Sequence, residues 1–141
     1  MTTTELLTAI QACHSDYSEI IGEESQQALR VEAGRLVELM QWLRNHEAYQ
    51  FIMLRNLTAV DYEEHLDVIY HVYSMALRQT IVVKTCCPAE GSEVPSVTSI
   101  WPAADFQERE VYDLLGIRFT GHPDLRRILM PEEYTEHPLR K

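Results

Sequence analysis

The chain has 141 residues, 45% of them hydrophobic, and a formal net charge of −10. That length makes one domain around one core, and that apolar fraction excludes disorder as a global state. The acidic balance excludes nucleic acid as a partner, because phosphate binding needs a basic face, and no apolar run approaches the roughly eighteen residues of a membrane span.

The start, Met1-Thr2-Thr3-Thr4-Glu5, lacks the basic residues and apolar segment of a signal peptide, so a soluble, cytosolic chain is expected. Thr2 and Glu5 form a capping box, and Leu6, Ile10 and Cys13 recur at helical spacing, which predicts a helix over 3–14. Residues 17–32 hold Gly22 between two short β-like pieces, Ile20-Ile21 and Ala28-Leu29-Arg30-Val31, and read as a hairpin. Leu36, Leu39, Met40 and Leu43 make one apolar stripe on a helix over 33–47, flanked by Trp42 and His46.

Three extended segments follow: Phe51 to Val60, Leu66 to Val72, and Gln79 to Cys87, with Arg78-Gln79 as a tight connection. In the middle one, Leu66, Val68, Tyr70 and Val72 face one way and Asp67, Ile69, His71 and Tyr73 the other. The three form an antiparallel meander with one face covered by the preceding helix. There is no βαβ rhythm and no glycine-rich phosphate loop. Pro88 to Ser99 reads as a loop. Pro102 opens a helix over 102–115 and Gly116 closes it as a C-terminal cap. Ile117-Arg118-Phe119 is a short extended piece, and Gly121-His122-Pro123-Asp124 a turn, with His122 held extended by the proline after it. The fold class is α+β: a small antiparallel meander covered by helices, with an extended C-terminal segment after a short helix. One domain spans 1–141, in three parts: helix and hairpin over 1–32, helix and strands over 33–95, and a terminal segment over 96–141.

Charge is unevenly distributed. Residues 1–107 carry six basic and fifteen acidic side chains, a net of −9, whereas 108–141 carry six and seven, a net of −1. Dense mixed charge suits a specific polar interface. Ten of the twelve basic residues are Arg, whose planar fork pairs carboxylates bidentately and tolerates burial.

In the helix over 102–115, Ala104, Glu108, Val111 and Leu115 form one stripe, so a carboxylate sits among apolar positions and must be paired or lose its charge. The other face carries Asp105, Arg109 and Asp113 at i+4 steps, where Arg109 can bridge two acids. Arg126 and Arg127, after Asp124-Leu125, are natural counter-charges: one reaching back to Glu108 or Asp113, the other reaching a partner. Spacing does not decide which.

No residue pattern proposes catalysis. Cys13, Cys86 and Cys87 lack metal-ligand spacing, and an iron–sulfur cluster usually needs four thiolates. His65 and His71 share a strand face but lie roughly 20 Å apart, too far for one metal ion. His122 and His137 each precede proline and read as turn-formers. Glu63-Glu64 and Glu132-Glu133 lack the burial cues of an acid–base dyad.

The run Ser96-Val97-Thr98-Ser99-Ile100-Trp101-Pro102, then Glu108-Arg109-Glu110-Val111-Tyr112-Asp113-Leu114-Leu115-Gly116, then Gly121-His122-Pro123-Asp124-Leu125-Arg126-Arg127 resembles the thirty-kilodalton (C-subunit) family of respiratory complex I, NADH:quinone oxidoreductase. The closing His137-Pro138-Leu139-Arg140-Lys141 fits too, and weaker echoes extend the resemblance to about 33–141. It implies a structural subunit of the peripheral arm, on the cytoplasmic side of the membrane, without catalytic, metal or cofactor-binding residues of its own. Its partners would be the large subunit framing the quinone site and the subunit holding the terminal iron–sulfur cluster. Glu108, Arg109, Glu110, Asp113, Gly116, Gly121, His122, Pro123, Asp124, Arg126 and Arg127 would be its docking and structural signature. The same subunit recurs in membrane-bound [NiFe] hydrogenases and formate hydrogenlyases. Many family members continue past the final Arg-Lys, where this sequence ends.

Overall fold

The computed structural model describes residues 2–23 and 26–123. The expectations for Asp124, Arg126, Arg127, Glu132-Glu133 and His137 lie outside the described residues.

Helix α1 (Thr3–Cys13) starts at the capping box: the Glu5 N–H donates to Thr2 Oγ1 at 3.1 Å, and the Thr2 N–H to Glu5 Oε2 at 3.4 Å. Its buried face is Leu6, Leu7 and Ile10. Cys13 is exposed, so the stripe continues through His14 instead. Strands β1 (Ser18–Ile21) and β2 (Ala28–Val31) form the expected hairpin. A 3-10 turn at Ala33–Arg35 leads into α2 (Leu36–Asn45), which buries Leu36, Leu39, Met40 and Leu43 as its spacing requires.

Strands β3 (Met53–Asp61), β4 (His65–Ser74) and β5 (Gln79–Pro88) make the antiparallel meander. Leu66, Val68, Tyr70 and Val72 of β4 are all fully buried, each such side chain stabilising by about 1.5–3 kcal/mol. The meander is part of a larger, mixed sheet. Strand β2 pairs with β5 in parallel, Leu29 beside Val83 and Arg30 beside Lys84, giving the order β1-β2-β5-β4-β3. Local pattern identified the hairpin but could not assign its long-range neighbour, which is chosen by packing of the Leu29 and Val31 face on the common core.

Two further expectations are corrected. The 88–99 loop contains a strand, β6 (Glu93–Pro95), and the helix it precedes is α3 (Ala104–Leu115), with Pro102 in the turn before it rather than in its first turn. After α3, β7 (Arg118–Thr120) runs parallel to β6, pairing Val94 with Phe119 and Pro95 with Thr120. A minimal β6-α3-β7 parallel unit therefore exists where no βαβ rhythm was read. Three-residue strands, one ending in proline, are too short to leave a period.

Helix α3 lies along β3, the open edge of the sheet, and Gln107 Oε1 accepts the edge N–H of Leu57 at 2.5 Å. That side chain occupies a donor that would otherwise invite a foreign strand. Trp101 Nε1–H donates to Phe51 O at 3.1 Å, fastening the start of the last segment to the sheet.

Candidate docking site in the terminal segment

The parallel pairing of β6 and β7 brings two distant residues to the same end of the small sheet. Ser96 follows the last residue of β6 and donates its backbone N–H to Thr120 O at 2.8 Å; His122 lies two residues beyond β7. Both meet the first turns of α3, where Asp105 and Glu108 project. Gly121 makes the corner with φ +82°, a left-handed conformation costly for residues with a Cβ, although among the described residues no atom beyond its chain neighbours lies within 4 Å of where a Cβ would stand. Gly116 ends α3 likewise, at φ +78°, with its N–H on Tyr112 O.

Glu108 is the centre. It is fully buried, as its place in the stripe of Ala104, Val111 and Leu115 predicts. The Ser96 hydroxyl donates to Oε1 at 2.6 Å and the Val97 N–H to Oε2 at 2.8 Å. Burial pushes the Glu108 carboxyl above the usual carboxylate range; those two donors and the nearby His122 pull the other way. The partners expected from sequence were arginines. Those seen among the described residues are a hydroxyl, a backbone amide and an imidazole.

His122 corrects the reading of a turn-forming histidine. Its side chain is fully buried, with Nε2 at 3.0 Å from Asp105 Oδ1, 3.2 Å from Asp105 O and 4.0 Å from Glu108 Oε1. Pro123, beside it, is exposed. The ring is thus a strut between the outgoing chain and the first turns of α3. Arg109 pairs with Asp105, Nε to Oδ1 at 3.2 Å, as the i+4 spacing predicts. Neither atom has an aligned hydrogen bond among the described residues, so the contact between them is one of charge proximity. Asp113 is fully buried rather than on a solvated face, and Glu110 is exposed.

Sequence reasoning missed Ser96 and the Val97 amide. The available signal was the demand of Glu108 for donors, but it names no donor until β6 and β7 are paired. A shallow groove over the cluster is lined by Thr98, Ser99, Pro102, Asp105, Gly121 and Pro123. Among the described residues no group of three or more His, Cys, Asp or Glu is placed to hold a metal ion, and no helix is long and apolar enough to cross a membrane. Cys86 is exposed and Cys87 buried, on opposite faces of β5.

Residues 29–141 match the family described as the respiratory-chain NADH dehydrogenase, 30 Kd subunit. The C subunit of the NADH-quinone oxidoreductase of Moorella thermoacetica is 47% identical over 116 residues, covering 81% of this chain and 77% of the relative. Its counterpart in Roseiflexus castenholzii is 42% identical over 127 residues, covering 88% and 71%. A solved trypsin-resistant fragment of Nqo5 superposes with a TM-score of 0.72 at 29% identity, over 89% of this chain and all of the fragment. A chain of the membrane-bound sulfane sulfur reductase, an archaeal respiratory membrane complex, does so with 0.79 at 26% identity, over 97% of this chain and 82% of its own. The chain described here belongs to the family of the thirty-kilodalton subunit of the respiratory-chain NADH dehydrogenase.

Proposed function

We propose that this chain is a structural subunit, without a cofactor of its own, of the peripheral arm of a complex I-type NADH (or ferredoxin):quinone oxidoreductase. It docks through residues 96–141 on the large subunit that frames the quinone site, beside the subunit holding the terminal iron–sulfur cluster. The observation that carries the reading is the cluster in which the buried Glu108 and the buried His122 ring meet the half-exposed Asp105. It spends a desolvated carboxylate and a buried imidazole on fixing where and in which direction the chain leaves the small sheet. A rigid exit of this kind serves to present the residues beyond it, which include Asp124, Arg126 and Arg127 in a stretch of dense mixed charge. The relatives from NADH-quinone oxidoreductases support assembly in a multi-subunit oxidoreductase.

The likeness to a chain of the sulfane sulfur reductase favours a second reading, in which the same subunit serves a related membrane complex such as a hydrogenase or formate hydrogenlyase. One experiment tests both. The tagged full chain is purified from native membranes and its companions are identified, which names the electron donor and acceptor. Large and terminal-cluster subunits are expected to co-purify with the wild type and to be depleted with Arg127→Ala. Normal assembly and activity of that variant would count against the docking role, and an isolated chain that reduces a quinone would end the structural reading.

A further inference from the structure

The ends of the β3–β4 hairpin differ in chemistry. The turn between the strands carries Asp61, Glu63 and Glu64. The opposite end, where β3 begins and β4 turns into β5, carries Ile52, Met53 and Met75, exposed by 48%, 45% and 61%. They share that end because Met53 pairs with Tyr73, and because the Ser74 hydroxyl donates to Tyr49 O while accepting the Leu77 N–H at 3.1 Å. The apolar residues are therefore presented on a braced turn. Arg55 sits at a bulge in β3 with its guanidinium 4.2 Å from the centre of the Tyr73 ring, and Arg78 closes the β4–β5 turn in a left-handed conformation, φ +53°. Both arginines are exposed, and neither forms an ion pair with a described carboxylate, a condition they share with Arg44, Lys84 and Arg118.

We propose that Ile52, Met53 and Met75, flanked by Arg55 and Arg78, form a second docking surface, for an acidic segment of a partner subunit that also presents apolar side chains. This rests on the subunit reading above and adds a contact away from the terminal segment. Exposed, flexible methionines suit a recognition surface, and two exposed cations beside them on a chain of net charge −10 give an acidic partner a place to approach. Charge decides against the other occupants. A symmetric second copy would set these arginines against themselves. An anionic membrane surface is held by clusters of about 4–8 basic residues, and the acidic remainder of the chain opposes it. The Trp101–Phe51 hydrogen bond anchors the residue just before Ile52 to the start of the terminal segment.

The test places a photo-crosslinking amino acid at Met53 or Met75, one at a time, in the tagged full chain in its own cell, with Tyr62, exposed at the other end of the hairpin, as the control. Illumination is expected to join both positions to one partner subunit, within a stretch rich in Asp and Glu. The combined Arg55→Glu and Arg78→Glu exchange is expected to lower that yield about tenfold, with the unfolding midpoint unchanged. Met75→Ser, which leaves both arginines in place, gives the same reading should the double exchange fail to fold. Crosslinks to lipid, to a second copy or to nothing, in a chain that still co-purifies with its complex, would overturn this surface alone. So would flotation with phosphatidylglycerol vesicles that is lost on double charge reversal. Recovery of the wild-type chain by itself would overturn the subunit reading and this surface with it.

Discussion

The sheet over residues 53–88 and the segment over 93–123 contribute to the same hydrophobic core, yet different forces hold them. In the sheet, Leu66, Val68, Tyr70 and Val72 fill the core with side chains whose contribution scales with area and tolerates exchange of shape. In the segment, the fixed points are a carboxylate, a hydroxyl, a backbone amide and an imidazole in one small volume. Such a network depends on every member being satisfied. The contrast teaches that loss of stability on truncation will look alike in the two regions, while the response to conservative change will not.

The largest expected effects are the truncations. Leu66→Ala should cost about 2–5 kcal/mol through the cavity it leaves, and Glu108→Ala about 3–5 kcal/mol by stranding Ser96 and the Val97 amide and removing the acid beside His122. Urea unfolding of the purified chain reads both. The conservative pair separates the regions: Leu66→Met should cost under about 1.5 kcal/mol, whereas Glu108→Asp, too short to reach both donors, should cost about 1–3 kcal/mol. Equal mildness in the two would erase the distinction. His122→Ala comes next, at about 1.5 kcal/mol, through the lost contacts of its ring with Asp105.

Tyr70→Phe crosses between the regions and should go the other way. Tyr70 is fully buried in the sheet core, its hydroxyl has no hydrogen-bond partner among the described residues, and Glu108 is near enough to raise the phenol further above its usual range, which burial has already done. Removing an unsatisfied hydroxyl without changing the ring should stabilise the chain by about 1 kcal/mol. A loss of similar size would show that the hydroxyl belongs to the polar cluster after all.

The same contrast explains what the sequence disclosed. Periodicity reports burial along one element, so α2, the face of β4 and the stripe of α3 were all legible, including the burial of Glu108. Pairing across distance is not periodic. The parallel contact of β2 with β5 and that of β6 with β7 were invisible for that reason, and with the second went Ser96 and the role of His122. A buried acid announces that donors exist; only the fold says which. The proline after His122 pointed to a turn, which is present, and hid the ring that the turn delivers into the cluster.

The smallest expected effects are slopes with pH, and they distinguish two buried titratable groups. Burial raises the Glu108 carboxyl, against the opposing pull of Ser96, Val97 and His122. Burial lowers His14, an effect that Arg35 reinforces and Glu38 opposes. Between the ordinary carboxylate value and its own raised one, native Glu108 holds more proton than the unfolded chain does. Stability therefore falls as pH rises through that window and levels off above it. Between its lowered value and 6.5, native His14 holds less proton than the unfolded chain, so stability rises with pH there and levels off above. In the wild type the two slopes have opposite signs. Glu108→Gln should remove the falling limb and leave the rising one; His14→Gln should do the reverse. Urea midpoints of the three proteins, taken from about pH 4 to about pH 8, resolve this, since both ordinary values fall inside that range. A Glu108→Gln curve parallel to wild type throughout would mean that the carboxyl titrates as if in water, and the terminal segment would then have to be held by something other than the buried cluster.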